Sequence, residues 1–211
     1  MIDFSEFMEA LDTDSFEEIP ASIEEFVTDK RYLYLPELSE YQYQAIRAMT
    51  QIYKKETLQN WVGEEEGNKR WGQTCKEVIL QIGKGGGKDF ISTIGCAYVV
   101  HLLLCLSDPA KYYGKPPGDS IDIINIAINA VQANRVFFKG FKRVIEKSPW
   151  FQGKYIPRAN SIEFDKGITV HSGHSEAESW EGYNVLIAVL DEISGFELEN
   201  TTGRQSPKTS S

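Results

Sequence analysis

A glycine- and lysine-rich segment, residues 83–89, has the residue types that bind phosphate groups. It comprises Gly83, Lys84, Gly85, Gly86, Gly87, Lys88 and Asp89, between an apolar run at residues 78–82 and a long apolar segment at residues 90–106. Glycines let the backbone approach a polyphosphate so that successive N–H groups point inward, and a following helix presents its positive end. The order strand, glycine loop and helix therefore predicts a phosphate-binding loop, with Lys88 reaching the β- and γ-phosphates.

The segment departs at two positions from the P-loop pattern G-x-x-x-x-G-K-[ST]. Ile82 stands where the first glycine is expected, and Asp89 stands where a hydroxyl usually ligates Mg²⁺. A carboxylate also suits Mg²⁺, and Lys84 together with Lys88 would offset its negative charge beside the phosphates. Lys84 is therefore a second phosphate-binding candidate. Taken alone, the segment is also compatible with a glycine-rich hairpin turn.

An unbroken apolar run at residues 185–190 ends in two acids, Asp191 and Glu192. Such a run is typical of a strand buried on both faces, and in a parallel sheet its carboxyl end opens beside the phosphate loop. Asp191 is predicted to hold Mg²⁺, directly or through water, and Glu192 to orient and deprotonate an attacking water. The alternative is a strand that ends in solvated acids, which the glycine loop upstream disfavours.

Two glutamines upstream of the glycine segment are candidates for contacts with a purine base. Ser39 is a predicted N-cap for a helix that runs to about Lys55. A carboxamide carries a donor and an acceptor, so a glutamine just inside this helix can pair with adenine. Gln42 is the first candidate and Gln44 the second; without a phosphate loop nearby, both would be read as solvated.

Hydrophobic patterning predicts the remaining elements. A buried strand is expected over residues 75–82, a helix over 90–106, a strand over 120–129, a helix over 131–147 and a β-hairpin over 161–172, with turns at 64–70 and 108–118. Basic residues outside the apolar stripe of the 131–147 helix are expected to be solvated, or to face DNA or a neighbouring subunit. His171 and His174 are three positions apart, but no cysteine or carboxylate pattern completes a zinc site around them.

The composition predicts a globular domain with an uneven charge distribution. The chain has 211 residues, 41% hydrophobic and 25% charged, with a net charge of −9. Residues 1–30 carry ten acidic side chains against one lysine, and the rest is balanced. We expect an acidic helical arm (residues 1–35), solvated or docking a partner, then a nucleotide-binding domain (36–200) and a polar tail (201–211). Any nucleic-acid contact must come from a local patch or an assembled oligomer.

The cysteines and the apolar segments favour a cytosolic protein that is neither secreted nor membrane-bound. Cys75, Cys96 and Cys105 lack C-x-x-C spacing, and two of them lie in an apolar segment, which predicts reduced thiols in the core. No signal peptide is recognisable after Met1, and residues 91–106 are expected to be too short and too interrupted to span a bilayer.

Together these features resemble the ATPase domain of the large terminase subunit of tailed bacteriophages, the DNA-packaging motor. Four segments carry the resemblance in order: Leu38-x-x-Tyr41-Gln42, the loop from Gly83 to Asp89 with a basic residue inside it, Ala127-x-Asn129-x-x-Gln132-Ala133, and Glu181-Gly182 before Leu190-Asp191-Glu192. The resemblance covers about residues 35–196. The loop and the acid pair correspond to the Walker A and Walker B motifs of P-loop ATPases in general, whereas the other segments point more narrowly to terminases.

The resemblance implies an α/β fold of the additional-strand, catalytic-Glu P-loop class, with a mainly parallel sheet flanked by helices. It implies ATP and Mg²⁺ as cofactors, catalytic roles for Glu192, Lys88 and Lys84, and Mg²⁺ ligands at Asp191 and Asp89. Nucleotide contacts are expected from Gln42, Gln44, Gly83, Lys84, Gly85, Gly86, Gly87, Lys88 and Asp89. The implied partners are double-stranded DNA, a homo-oligomeric ring on a portal and a small terminase subunit, in the host cytoplasm. Arg135, Arg143 and Arg158 are candidates for an arginine supplied in trans.

The chain departs from the terminase pattern after Asp191-Glu192, where a coupling segment and an RNase-H-like nuclease domain are expected. We therefore expect a fragment or a split gene product without nuclease activity. Two alternatives stay open. One is a helicase-like P-loop ATPase that acts on nucleic acid outside packaging, and the other is a module that binds nucleotide or a partner without hydrolysis.

Overall fold

A five-stranded mixed sheet forms the centre of the protein. The computed structural model describes residues 13–73, 76–83, 85–127, 137–174 and 182–190. The strands are β1 (Ile121–Ala127), β2 (Tyr155–Pro157), β3 (Ser161–Phe164), β4 (Ile168–His174) and β5 (Val185–Leu190), in the order β2-β3-β4-β1-β5. β1 pairs in parallel with β4 and β5, whereas β3 pairs antiparallel with β2 and β4. The predicted α/β class is confirmed, with a mixed rather than mainly parallel sheet.

Helices flank this sheet. In the described ranges they are α1 (Ile23–Thr28), α2 (Glu40–Thr50), α3 (Lys55–Val62), α4 (Glu64–Arg70), α5 (Lys88–Cys105), α6 (Pro109–Tyr112) and α7 (Lys139–Lys147). Short 3₁₀ turns lie at Thr13–Ser15, Pro149–Phe151 and Asp165–Gly167. The predicted helices over 90–106 and from Ser39 are confirmed, the second ending at Thr50 because Gln51 has φ +58°. The predicted β1 strand and the β3–β4 hairpin are also confirmed.

α5 is the central core helix. Its side chains are buried on nearly all sides, with Ile91, Ile94 and Tyr98 at most 1% exposed. By length and composition it is apolar enough to cross a membrane, so the expectation that this run is too short was wrong. However, 72% of it is buried within the protein, which is typical of a core helix. Cys96 and Cys105 are buried free thiols, as predicted, and burial raises the pKa of each to about 12.

The predicted buried strand before the glycine segment is not formed. Residues 76–83 are neither strand nor helix, and the side chains of Val78 and Ile79 are 39% and 78% exposed. An apolar run becomes a buried strand only where another strand pairs with it. No strand in the described ranges pairs with this run, and the sequence pattern alone does not show whether such a partner exists.

Residues 64–70, predicted as a turn, form helix α4 instead. Three acids in its first turn complement the positive helix end, and Glu66 pairs with Arg70 one turn later. Gly67, which suggested a turn, serves packing: a Cβ there would lie 2.7 Å from the Gln59 Cα. The glycine therefore lets α3 and α4 cross closely.

β5 was predicted as a strand buried on both faces, and this prediction was wrong about its surroundings. The strand is present, but it lies at the edge of the sheet and pairs only with β1 among the described strands. Val185 and Leu190 are 40% and 46% exposed. Among the described strands only β1 lies beside β5, so the apolar run is not buried on both faces there.

Much of the expected acidic arm packs into the core in the described ranges. Ala21, Ile23 and Phe26 are buried, and α1 is capped by the Ser22 hydroxyl. The backbone N–H of Ala21 donates to His101 Nε2 on α5 at 3.0 Å. The His101 ring stacks on Phe26 at a centroid distance of 4.9 Å and is fully buried. This contact fastens residues 21–26 to the core helix through a neutral imidazole.

We predict that His101 makes the protein less stable in acid. Burial lowers the pKa of His101 to about 3. The unfolded chain binds a proton near pH 6.5 while the folded protein does not, so stability is lost as the pH falls from about 6.5 towards 3. Between pH 7 and pH 5 this single group should remove about 2 kcal/mol from the free energy of unfolding.

The matched variant is His101→Phe, which keeps an aromatic ring but does not titrate. It should be less stable than the natural protein at pH 7, because the Ala21 N–H loses its acceptor. Urea unfolding at pH 7 and pH 5 should show a pH-dependent loss that is smaller by about 2 kcal/mol in the variant. Equal losses in the two proteins would show that His101 does not carry this dependence.

Candidate phosphate-binding site

The glycine segment lies at the end of the sheet where the parallel strands have their carboxyl ends. Lys166, just before β4, donates from Nζ to the Leu104 carbonyl at 2.7 Å, so β4 and its parallel neighbour β1 begin near the carboxyl end of α5. At the other end, a Cβ on Gly140 of α7 would lie 3.4 Å from Thr93 Oγ1, one turn inside α5. The strands therefore run towards the amino end of α5.

The glycine segment forms a tight turn that folds back on the preceding residue. The Gly86 N–H donates to the Gly83 carbonyl at 3.0 Å. A Cβ at Gly86 would lie 2.2 Å from Ile82 Cγ2 and 3.1 Å from the Gly83 oxygen. A side chain at this position would therefore displace Ile82 or open the turn. Ile82, which stands where the P-loop pattern has glycine, packs directly against the turn.

The turn leads directly into the first turn of α5. Gly87 has φ +79° and makes no side-chain cap hydrogen bond, and Lys88 and Asp89 lie in the first turn. The first N–H groups of a helix have no intrahelical acceptor and carry the positive end of the helix dipole. Together with the glycine turn, they fit a phosphate group, since that group needs several convergent N–H donors.

Gln42 is brought against the glycine segment. Its Nε2 would lie 3.5 Å from a Cβ on Gly87. Its Oε1 accepts hydrogen bonds from the Ser39 backbone N–H at 2.9 Å and from the Ser39 hydroxyl at 3.1 Å, closing a capping box. The acceptor edge of Gln42 is thus occupied by its own helix, and the amide Nε2 is the atom directed at the loop.

A second glycine determines how closely α2 approaches α5. A Cβ on Gly95 would lie 2.7 Å from Met49 Cε and 3.0 Å from its sulfur. Because Gly95 lacks that atom, α2 packs tightly on α5 and carries Gln42 to the start of the helix. Gln44 is not brought to the loop in the same way, since its Nε2 donates to Glu40 Oε1 at 3.4 Å.

Several predicted site residues lie outside the described residues. They are Lys84, Asp191 and Glu192, together with Asn129, Gln132, Ala133, Arg135 and Glu181. β5 ends at Leu190, paired with Ile126 of β1. The Asp191-Glu192 pair therefore directly follows a strand that ends at the edge of the glycine segment, and its roles remain predictions.

The two described candidates for a trans arginine differ in their surroundings. Arg158 makes two hydrogen bonds to Glu163, at 2.9 and 2.8 Å, and this guanidinium holds the pKa of Glu163 below its usual value. Arg143 is exposed on α7, and no ion pair joins it to another described residue. Of the two, Arg143 is the one available to a further anionic group.

Asn125 is a polar residue near this edge that the sequence patterns did not single out. It lies on β1, is 1% exposed, and its Oδ1 and Nδ2 have no hydrogen-bond partner within the described part of the protein. The one sequence feature that could have identified Asn125 is its amide within the mostly apolar run Ile121–Ala127. A buried amide without a hydrogen-bond partner costs stability.

His171 contacts the carboxylate of Asp122. Its Nε2 lies 2.9 Å from Asp122 Oδ1, and Asp122 Oδ2 accepts from the Asn184 backbone N–H at 3.0 Å. The residues that the structure describes contain no group of three or more histidine, cysteine or acidic side chains suited to a metal ion. This network ties β1, β4 and the start of β5 together at the edge remote from the glycine segment.

We predict that Gly86→Ala impairs nucleotide binding without unfolding the protein. The new Cβ overlaps Ile82 Cγ2, so the turn must open and its N–H groups lose their common direction. Affinity for ATP should fall at least about tenfold, equivalent to about 1.4 kcal/mol. Titration calorimetry measures the affinity, and thermal unfolding is the control, because the exposed turn contributes little to the core. Unchanged affinity would contradict the assigned geometry.

We predict that Asn125→Leu stabilises the fold. Leucine has a similar size and removes two buried polar atoms that lack partners in the described structure. The free energy of unfolding should rise by about 1–3 kcal/mol in urea titrations. Asn125→Asp is the matched control and should destabilise, since it buries a carboxyl group. A destabilised leucine variant would show that the amide is hydrogen-bonded in the folded protein.

Comparisons with known proteins identify the family and the fold of this chain. A family model described as "Uncharacterized protein MJ0330, N-terminal P-loop domain" matches residues 2–210. The uncharacterized protein MJ0330 of Methanocaldococcus jannaschii is 39% identical over 133 residues, which cover 58% of this chain and 23% of that protein. The chain thus spans about a quarter of the length of this relative.

The fold also resembles that of a solved terminase. The crystal structure of the HK97 bacteriophage large terminase matches with a TM-score of 0.51 and 14% sequence identity, over 80% of this chain and 30% of that one. At this identity the match concerns the fold, and it confirms the predicted terminase-like P-loop domain. P-loop domains bind nucleotides, typically with Mg²⁺. With its family model matched over residues 2–210, the chain belongs to the family of MJ0330 N-terminal P-loop domains.

Proposed function

We propose that this domain hydrolyses ATP as the motor of a terminase-type machine that moves double-stranded DNA into a procapsid. The observation that carries the proposal is a convergence at one edge of the sheet. The Gly86 turn, the uncapped start of α5 and the Gln42 amide meet there, and β1 and β5 run towards it. This arrangement fits a nucleoside triphosphate whose phosphates lie on the turn.

The chemistry follows from the residues assigned to the site. Lys88 and Lys84 neutralise charge on the phosphates, and Asp191 and Asp89 provide oxygen ligands for Mg²⁺, which when bound offsets further phosphate charge. Glu192 accepts a proton from water as the water oxygen attacks the γ-phosphorus. The bond from that phosphorus to the bridging oxygen breaks, and ADP and inorganic phosphate leave.

The terminase-like fold supports the proposed wider machine. The net charge of −9 opposes DNA binding by the chain as a whole, so the proposed DNA contact requires a local basic patch or an assembled ring. We place this ring on a portal in the host cytoplasm, assisted by a small terminase subunit. Arg143, which is exposed and without an ion pair among the described residues, is the preferred candidate for the arginine supplied to a neighbouring site.

A second candidate function is nucleotide binding without turnover by this chain. The observation that favours it is the exposed, unpaired segment at residues 76–83, which leads into the glycine turn. β5 likewise has one edge without a partner strand in the described ranges. No described strand pairs with both residues 76–83 and β5. Strand pairing in the described ranges therefore does not fix the distance between the glycine turn and the acid pair, although hydrolysis requires that distance to be fixed.

We predict that Lys88→Ala and Glu192→Gln separate binding from chemistry. Lys88→Ala should weaken ATP binding and reduce turnover at least about 100-fold, because it removes a positive charge from the phosphates. Glu192→Gln should keep ATP binding and reduce turnover about 100- to 10,000-fold, because the amide does not accept the proton. Calorimetry gives the affinity, and phosphate release with and without double-stranded DNA gives the turnover.

Matched controls are available on exposed positions. Lys111→Ala and Glu17→Gln change the same residue types away from the loop, beyond or beside the carboxyl end of α5, and should leave both readouts unchanged. Turnover that is insensitive to both site variants would reject the catalytic assignment. Binding without phosphate release in the natural protein, with or without DNA, would support the second candidate function instead.

A further inference from the structure

The side-chain amide of Gln42 has hydrogen-bond donors but no free acceptor beside the glycine turn. Its Oε1 accepts from the Ser39 backbone N–H at 2.9 Å and from the Ser39 hydroxyl at 3.1 Å. A carbonyl oxygen has two lone pairs, so these two hydrogen bonds occupy both. Its Nε2 would lie 3.5 Å from a Cβ on Gly87, and it donates to no residue in the described part of the chain. Gln42 can therefore donate to a ligand at the turn.

The backbone determines which way this amide points. The Ser39 N–H is a donor only, so the Gln42 atom that it contacts must be the oxygen. A reversed amide would place its NH₂ group against that N–H and leave the start of α2 with an unpaired donor. The nitrogen is therefore the polar atom of Gln42 that faces Gly87.

A ligand group that donates to Gln42 Oε1 has to displace one of the Ser39 hydrogen bonds. The capping box holds this contact from both sides, since the Gln42 backbone N–H also lies 3.4 Å from Ser39 Oγ. Exchanging one hydrogen bond for another changes the free energy little, because the number of satisfied groups stays the same. An acceptor contact from Gln42 therefore adds little to the affinity for a nucleotide.

Adenine and guanine differ in what they offer to such an amide. Adenine presents the N7 acceptor and the N6 amino donor, whereas guanine presents two acceptors, N7 and O6. A carboxamide selects adenine by donating to N7 and accepting from N6 at the same time. With its oxygen occupied by Ser39, Gln42 can make only the first of these contacts. That contact is the same for both purines.

Gln44, the second candidate for a base contact, does not supply the missing acceptor. It follows Gln42 by two residues, about 200° further around α2, so it lies on a different helix face. Its Nε2 donates to Glu40 Oε1 at 3.4 Å, within the same helix. The two candidate glutamines thus contribute one donor to the base and no acceptor.

We propose that the site binds ATP and GTP equally well, because Gln42 donates from Nε2 to N7 of either purine. This contact rests on the proposed function, and it widens the substrate from ATP to purine nucleoside triphosphates. Ser39 determines this specificity through Gln42, since its N–H and hydroxyl occupy the oxygen that would otherwise recognise adenine.

Calorimetry on the natural chain tests the specificity directly. ATP and GTP should bind with affinities within about threefold of each other, because each accepts one hydrogen bond from Gln42. The analogues 7-deaza-ATP and 7-deaza-GTP carry carbon in place of N7 and should each bind about fivefold more weakly than the parent nucleotide. A preference of tenfold or more for either purine, or equal binding of analogue and parent, would overturn the proposal.

The variant Gln42→Glu separates the donor from the capping box. Glutamate keeps the box, so thermal unfolding should be unchanged, but its carboxylate does not donate. The added negative charge weakens every nucleotide, and comparison of each analogue with its parent removes that effect. The fivefold penalty of the 7-deaza analogues should therefore disappear in Gln42→Glu and persist in the matched control Gln44→Glu. A penalty that persists in Gln42→Glu would show that N7 contacts another group.

The variant Ser39→Ala tests why the oxygen does not take part. Loss of the hydroxyl frees one lone pair of Gln42 Oε1, which can then accept from adenine N6. The ratio of ATP to GTP affinity should rise at least about threefold. Ser39→Thr keeps a hydroxyl and should keep the natural ratio. An unchanged ratio in Ser39→Ala, with α2 still folded by circular dichroism, would overturn the role assigned to Ser39.

The outcomes separate this base contact from the function on which it rests. A protein that binds and hydrolyses ATP but rejects GTP would overturn the base contact and leave the proposed function intact. A natural chain that binds neither nucleotide would overturn both. Equal binding of ATP and GTP, with the penalty for 7-deaza analogues lost only in Gln42→Glu, would support both the site and its specificity.

Discussion

The enclosure of one apolar helix, α5, is the constraint on which the rest of the structure depends. Burying its side chains on nearly all sides requires the sheet on one face, α2 on another and α7 on a third. Each of these neighbours contributes to the candidate site because each must approach α5 closely. Gly95 admits Met49 of α2, and Gly140 of α7 lies against Thr93. The positions of Gln42 and Arg143 therefore follow from core packing rather than from local loop geometry.

The two ends of α5 are held by different kinds of interaction. Near the carboxyl end, His101 accepts from the Ala21 N–H, and Lys166 donates to the carbonyls of Leu104 and Leu106. At the amino end, the helix begins at Gly87 without a side-chain cap. The carbonyls of Leu104 and Leu106 thus accept hydrogen bonds within the protein, whereas the amino end of α5 continues directly from the glycine turn, where phosphate binding is proposed.

The sequence predicted the parts of the fold that short-range patterns determine. Helix α5, β1, the β3–β4 hairpin and the Ser39-capped α2 were all recognisable, because each has its own periodicity or cap. The structure confirms that the glycine segment leads into a helix and adds the Gly86 contact with Ile82, while phosphate binding by the segment stays a prediction. Residues 76–82 and the surroundings of β5 were mispredicted, because burial of an apolar run depends on which strand lies beside it. Asn125 was missed, since a single amide in a strand has no spacing to detect.

Binding and hydrolysis make different demands on this arrangement. A phosphate group needs only the Gly86 turn and the start of α5, which are adjacent in sequence and rest on a buried helix. Hydrolysis also needs Glu192 at a fixed distance from that turn, and Glu192 follows β5. In the described ranges β5 and residues 76–83 share no pairing, so their separation is set only through β1 and α5. A misplacement of about 1 Å costs a catalyst about 100-fold while barely altering binding of the phosphates. In the proposed reaction, turnover therefore depends on how firmly β5 is held, whereas phosphate binding does not.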